Sequence, residues 1–166
     1  MNNIKIDVFA HILTEKYFIE LKKLKADIVN DPIFKFTTDV LTDINVRREY
    51  QKQFPEVRQL ISMININPED YFDAEKSFEL TYNANKELVK VVKDNPDLFC
   101  GAVAMVPMNN IEGALKIINE QVIDNKELYG VQLFTKALNK SIASEEYLPI
   151  FKAIHKNNLA IWLHPV

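Results

Sequence analysis

Ile4-Lys5-Ile6-Asp7-Val8-Phe9-Ala10-His11 is the stretch whose reading decides the fold. Apolar residues fall at alternate positions, β-branched Ile and Val dominate, and the run ends on an ionisable residue before an amphipathic segment. That pattern predicts a buried strand whose C-terminal tip presents side chains to a site. Near the other end, Asn158-Leu159-Ala160-Ile161-Trp162-Leu163-His164-Pro165 has the same form and also ends on a histidine. Two strands with an imidazole at the same tip organise the chain, and the segment between them reads as the scaffold that brings those tips together.

Between these runs strand and helix alternate. Thr14 is placed to cap a helix with Tyr17, Phe18, Leu21 and Leu24 at helical spacing. Residues 27 to 58 form an excursion before the next strand, broken at Asp31-Pro32, with Ile33, Phe34 and Phe36 packing as a flap. A helix capped by Thr42 or Asp43 follows and runs to about Phe54, where Pro55 ends it. This excursion is the candidate lid or interface. The second strand is expected over Gln59 to Asn65, and a long helix opened by Pro68-Glu69-Asp70 runs to Asn95-Pro96. Leu98 to Met105 reads as the third strand, and Asn109-x-x-Glu112 as a capping box for the next helix. Tyr129 to Phe134 is the fourth strand, a helix follows Pro149, and Leu159 to His164 is the fifth strand. The strands are continuous apolar runs spaced ~30 residues apart from the second onward, as parallel strands covered on both faces are. The fold class is α/β, with about five parallel strands and surrounding helices in a single domain spanning 1–166.

Composition narrows the function. Charged residues make up 26% of the chain, the net charge is −3, and no basic face is evident, so nucleic-acid binding is not expected. The N-terminus lacks the cationic head and apolar core of a secretory signal, and no apolar run approaches the roughly 20 residues of a membrane helix. The single Cys100 excludes an internal disulfide, fits a reducing cytoplasm, and reads as a core thiol. Only three glycines are present, none in a phosphate-binding loop, which disfavours dinucleotide and P-loop readings. Glu69-Asp70 and Glu145-Glu146 read as helix-start acids favoured by the dipole, and His155 as a solvated cation at a helix end.

In parallel α/β folds functional groups gather at the C-terminal ends of strands, where His11 and His164 both lie. Imidazole is a common ligand of zinc and similar ions. By strict alternation Asp7 shares a face with Phe9 and His11.

Ile6-Asp7-Val8-Phe9-Ala10-His11 resembles the first-strand motif Asp-x-His-x-His of the amidohydrolase superfamily, in particular the amidohydrolase-related branch of aminocarboxymuconate-semialdehyde and resorcylate decarboxylases. Asn83 to Leu88, Asn95 to Phe99, Val106-Pro107-Met108, Gly130 to Thr135, Tyr147 to Phe151 and Ile161 to Pro165 are similar to later segments of that branch, in the same order. The resemblance implies a TIM (β/α)8 barrel, here in part: the N-terminal portion of a barrel roughly twice as long. It implies one divalent metal, zinc first, and decarboxylation, hydrolysis or hydration of a small carboxylated substrate.

Carried over residue by residue, His11 corresponds to the second histidine of the first-strand pair and His164 to the fifth-strand ligand. Phe9 replaces an expected ligand. The family's sixth-strand His and eighth-strand Asp have no counterpart up to Val166. Catalytic zinc has at least three protein ligands plus an open position, so the expectation is weak metal binding and an impaired, truncated chain when isolated. Asp7 becomes a ligand only if the strand twists. Trp162 is a candidate pocket wall, and Arg47 a candidate partner for a substrate carboxylate if the excursion folds over the tips. Five strands leave the first and fifth as open edges, to be covered by a homo-oligomer or a complementing chain. The alternative is a non-catalytic remnant or pseudoenzyme acting as a binding or interaction module.

Overall fold

The computed structural model of the protein describes residues 3–64 and 66–165, the Phe36 side chain excepted. Five strands form one sheet in the order β1 (Lys5–Ile12), β2 (Val57–Met63), β3 (Phe99–Ala104), β4 (Leu128–Phe134) and β7 (Ala160–His164), all parallel. The sheet curls into a half-barrel with its helices outside, which is the expected partial (β/α)8 architecture.

The core lies between the outer face of the sheet and the helices α1 (Glu15–Leu24), α4 (Ala74–Asp94), α5 (Ile111–Ile117) and α6 (Leu148–Lys156). Ile61, Met63, Ala102, Val131 and Leu133 from strands meet Leu21, Leu88, Ile117 and Ile150 from helices, all fully buried. The α4 sequence buries Ser77, Leu80, Thr81, Ala84, Asn85, Leu88 and Val92, which is one stripe at helical spacing. Asn85 is the polar member. Its side chain bonds both the N–H and the carbonyl of Met105, at 2.8 and 2.9 Å, and so locks α4 to the end of β3. Both backbone groups would otherwise be buried without partners.

Helix starts differ from the sequence reading in instructive ways. Pro68-Glu69-Asp70 forms a separate 3₁₀ turn, and α4 begins only at Ala74, where Asp73 accepts a bond from the Lys76 N–H. Asn110, not Asn109, caps α5 through the Gly113 N–H. Asn109 instead donates to the Phe72 carbonyl and to Ser77 Oγ. Asp43 is the cap of α3 (Ile44–Gln51), as expected, but a short α2 (Asp39–Thr42) precedes it. The expected end of the second strand at Asn65 lies outside the described residues.

A two-stranded hairpin, β5 (Lys136–Ala137) with β6 (Lys140–Ser141), follows β4 and was not foreseen. Its turn places Leu138 and Asn139 at positive φ, a conformation that Asn tolerates and that hides Leu from propensity rules.

The two sheet edges are β1 and β7. Ile6 and Val8 on β1, Ile4 just before it, and Ile161 and Leu163 on β7 are exposed, as an unclosed barrel requires. The upper end of β1 is covered from within the chain, because the Leu13 N–H bonds the Leu41 carbonyl of the excursion.

Candidate metal centre at the mouth of the half-barrel

His11 ends β1 and His164 ends β7, and the curl of the sheet brings these tips together. The two imidazole centroids are 5.6 Å apart. Phe9 completes a triangle, 5.9 Å from His11 and 5.8 Å from His164. Phe134, in register with His164 on the neighbouring strand, lies 5.6 Å from it. Residues separated by most of the chain thus form one aromatic rim.

Each imidazole is oriented through Nδ1. In His11 it lies 3.0 Å from Ser62 Oγ, on the neighbouring strand. In His164 it lies 2.7 Å from the Pro165 carbonyl, which can only accept, so Nδ1 is the donor. Such bonds are how ligating histidines are held in the tautomer a metal needs. Burial lowers the His11 pKa, and the His164 imidazole lowers it further. The Met63 backbone opposes this, Arg47 adds to the lowering, and Asp7 weakly opposes it. His11 is therefore neutral at pH 7, the form that coordinates metal.

The other sequence candidates occupy different places. A β-bulge between Asp7 and Ala10 breaks the alternation that had put Asp7 on the face of His11. Asp7 Oδ1 accepts from the Phe9 N–H and Oδ2 from Gln59 Nε2, so its carboxylate is bonded within the bulge and to the neighbouring strand. Arg47 is only 4% exposed. It donates to the Val40 carbonyl, to Gln59 Oε1 and to the His11 carbonyl, so its donors face the fold and not the mouth. Trp162 reaches across the half-barrel, and its Nε1 donates to the Val8 carbonyl at 2.7 Å. The indole spans the opening as a strut between the edge strands.

Two polar groups were missed by sequence reasoning. Glu69, expected as a helix-start acid favoured by the dipole, is 7% exposed at the strand C-terminal end and accepts from the Met108 N–H. Burial pushes its pKa up to about 7, against backbone hydrogen bonds that lower it. Gln132, 4% exposed on β4 in register with Trp162, has a buried Oε1 without a partner among the described residues. No local pattern marks either residue, because their burial is produced by remote segments.

The imidazole pair fits a divalent ion as a partial ligand set. Two rings sharing one ion through nitrogens at ~2.1 Å hold their centroids roughly 5 Å apart, close to the spacing found here. Among the described residues no group of three His, Cys, Asp or Glu gathers. Phenylalanine fills the third corner.

Comparison with known proteins bears on the fold. No protein-family model and no curated protein sequence matches the chain. Solved structures do. The 5-carboxyvanillate decarboxylase of Sphingomonas paucimobilis superposes with a TM-score of 0.80 at 19% identity, over 98% of this chain and 52% of that one. The chain thus has the fold of about half of a (β/α)8 barrel. The Novosphingobium aromaticivorans 5-carboxyvanillate decarboxylase, solved with manganese and 4-hydroxy-3-methoxy-5-nitrobenzoic acid, gives 0.80 at 16% identity over 98% and 50% of the two chains. The dihydroxybenzoic acid decarboxylase of Polaromonas, solved with manganese and 2-nitroresorcinol, gives 0.73 at 20% over 99% and 50%. The chain spans about half the length of these structures. At such identities the correspondence is one of fold, and it matches the architecture that the first-strand resemblance implied. Among the described residues no helix is long and apolar enough to cross a membrane.

Proposed function

We propose that this half-barrel carries part of the active site of a metal-dependent carboxy-lyase or hydrolase for small carboxylated substrates. The carrying observation is the meeting of His11 and His164 at 5.6 Å on the C-terminal rim of a fold shared with decarboxylases. In this reading His11 and His164 hold a divalent ion. Imidazole chemistry favours zinc, while the solved relatives were crystallised with manganese. A bound ion supplies Lewis-acid polarisation of a substrate oxygen.

The chain's own contribution is orientation and water exclusion. Ser62 and Pro165 set the two rings. Phe9 and Phe134 make the rim apolar, which suits the ring of a planar substrate. The remaining ligands and the group that moves the proton come from a segment seated on the open edges, supplied by a downstream segment or by another subunit. The lone Cys100 suits a reducing cytoplasm as the place of action.

One observation favours a second reading. Phe9 occupies the third corner of the triangle, as in a remnant that has lost its metal and survives as a binding module.

Calorimetric titration with MnCl2 and ZnCl2 separates the readings. Micromolar binding abolished by His11→Ala and by His164→Ala supports the enzyme-derived site. No binding by the native chain, and none by Phe9→His, leaves the remnant. Light scattering after size exclusion tests the edges: a stable monomer would contradict the expectation that they are covered.

A further inference from the structure

A buried arginine with no carboxylate bonded to it among the described residues calls for an explanation. Arg47 is 4% exposed, yet its three bonds go to two backbone carbonyls and one carboxamide: Nε to Val40, Nη2 to His11 and Nη1 to Gln59 Oε1. A guanidinium removed from water costs several kcal/mol unless its donors are met, and here each of its three nitrogens donates to a fixed acceptor. The charge is balanced at one remove. Gln59 passes its own N–H to Asp7 Oδ2, and Asp7 Oδ1 takes the Phe9 N–H. A continuous chain of bonds therefore runs from α3 through β2 to the bulge in β1.

That bulge decides which way the site residues point. The register slips between Asp7 and Ala10, and beyond the slip His11 pairs with Ser62, the residue that its ring also touches. Successive carbonyls of a strand alternate sides, and the Ile12 carbonyl accepts from the Ile64 N–H on the β2 side. The His11 carbonyl then faces the open edge, where no strand bonds it, and Arg47 takes it. The excursion thus grips β1 at the residue whose side chain forms the candidate site.

We propose that Arg47 is the positioning residue of this site. Through the His11 carbonyl and the Gln59–Asp7 relay it holds the β1 bulge in the form that directs the His11 ring onto Ser62 and toward His164. The metal part of the test rests on the function proposed above; the placement of the ring does not. Arg47 does not touch substrate or metal in this account.

The test uses the intact chain labelled with ¹⁵N at histidine, without metal, at one pH where the rings are neutral. In the native protein His11 is expected to show one fixed tautomer, while exposed His155 is averaged. Arg47→Met is expected to average the His11 signals, leave His155 unchanged, and weaken Mn²⁺ binding at least tenfold. Arg47→Lys, which keeps the charge but cannot reach three fixed acceptors, is expected to behave like Arg47→Met. Should Arg47→Met not fold, Gln59→Leu breaks the relay and leaves the guanidinium in place, and it is expected to loosen His11 in the same direction. An unchanged His11 pattern in a folded Arg47 or Gln59 variant overturns the proposal. A native chain that binds no Mn²⁺ refutes the metal reading, and the ring pattern still decides on Arg47.

Discussion

Phe9→His asks whether the rim is a metal site with one corner filled by carbon. The Phe9 ring lies 5.9 and 5.8 Å from the two imidazoles, and these lie 5.6 Å from each other. All three separations are within about 1 Å of the spacing of rings that share an ion, computed from a nitrogen–metal distance of ~2.1 Å. The substitution has a cost without metal. Phe9 is 46% exposed, so about half of its ring area is buried. Full burial of Phe is worth roughly 1.5–3 kcal/mol, which puts the loss near 1 kcal/mol. For a chain of this size that lowers the Tm by about 2–4 °C.

With metal the sign reverses. A third imidazole is expected to tighten binding at least tenfold, about 1.4 kcal/mol. At a free ion concentration ~100 times Kd, linkage stabilises the native state by about 2.7 kcal/mol. The assay is thermal unfolding followed by circular dichroism, with and without MnCl2 or ZnCl2, for the native chain and the variant. A Phe9→His chain with native dichroism whose Tm ignores both ions would refute the claim that these rings mark a metal position.

Three further outcomes follow from particular contacts. Glu69 holds a proton more tightly when folded, near pH 7, than at its ordinary 4.5, so the native state binds more protons between those values. Its contribution is therefore fully present below about pH 4.5 and is lost as pH rises through 7, by about 3 kcal/mol in all. Urea midpoints measured from pH 5 to 8 should fall with a slope that Glu69→Gln removes. Trp162→Phe deletes the Nε1 bond to the Val8 carbonyl, and should cost about 1 kcal/mol and weaken Mn²⁺ binding, read by urea unfolding and calorimetry; unchanged stability would mean that the strut carries no load. Gly130→Ala drives a Cβ into the Ala160 backbone carbonyl across the β4–β7 pair, whereas Gly101→Ala meets mainly the Tyr129 ring, which is half-exposed and able to move. The first should destabilise by about 2 kcal/mol or more and the second by clearly less, in the range of overpacking effects; equal losses would contradict the register of the last two strands.

Much of the architecture was written in local pattern. The apolar runs ending on His11 and His164 and the helical periodicity between them predict parallel strands and covering helices because period is a property of neighbouring residues. Helix starts were legible only to within a few residues, as Asn109 against Asn110 and Pro68 against Ala74 demonstrate. Several Asx residues stood near each start, and the fold selected which one meets an unpaired N–H.

The amino-acid sequence by itself determined that two imidazoles stand at strand tips facing one rim, and that phenylalanine stands two residues before His11. Only the tertiary structure decided what surrounds them. The bulge that holds the Asp7 carboxylate, the grip of Arg47 on the His11 carbonyl, the reach of Trp162 to Val8 and the burial of Glu69 join residues 36 to 154 positions apart. Such bonds are set by the curl of the sheet and by which remote acceptors remain unpaired after the strands have bonded. That is a property of the assembled fold, and no stretch of neighbouring residues carries it.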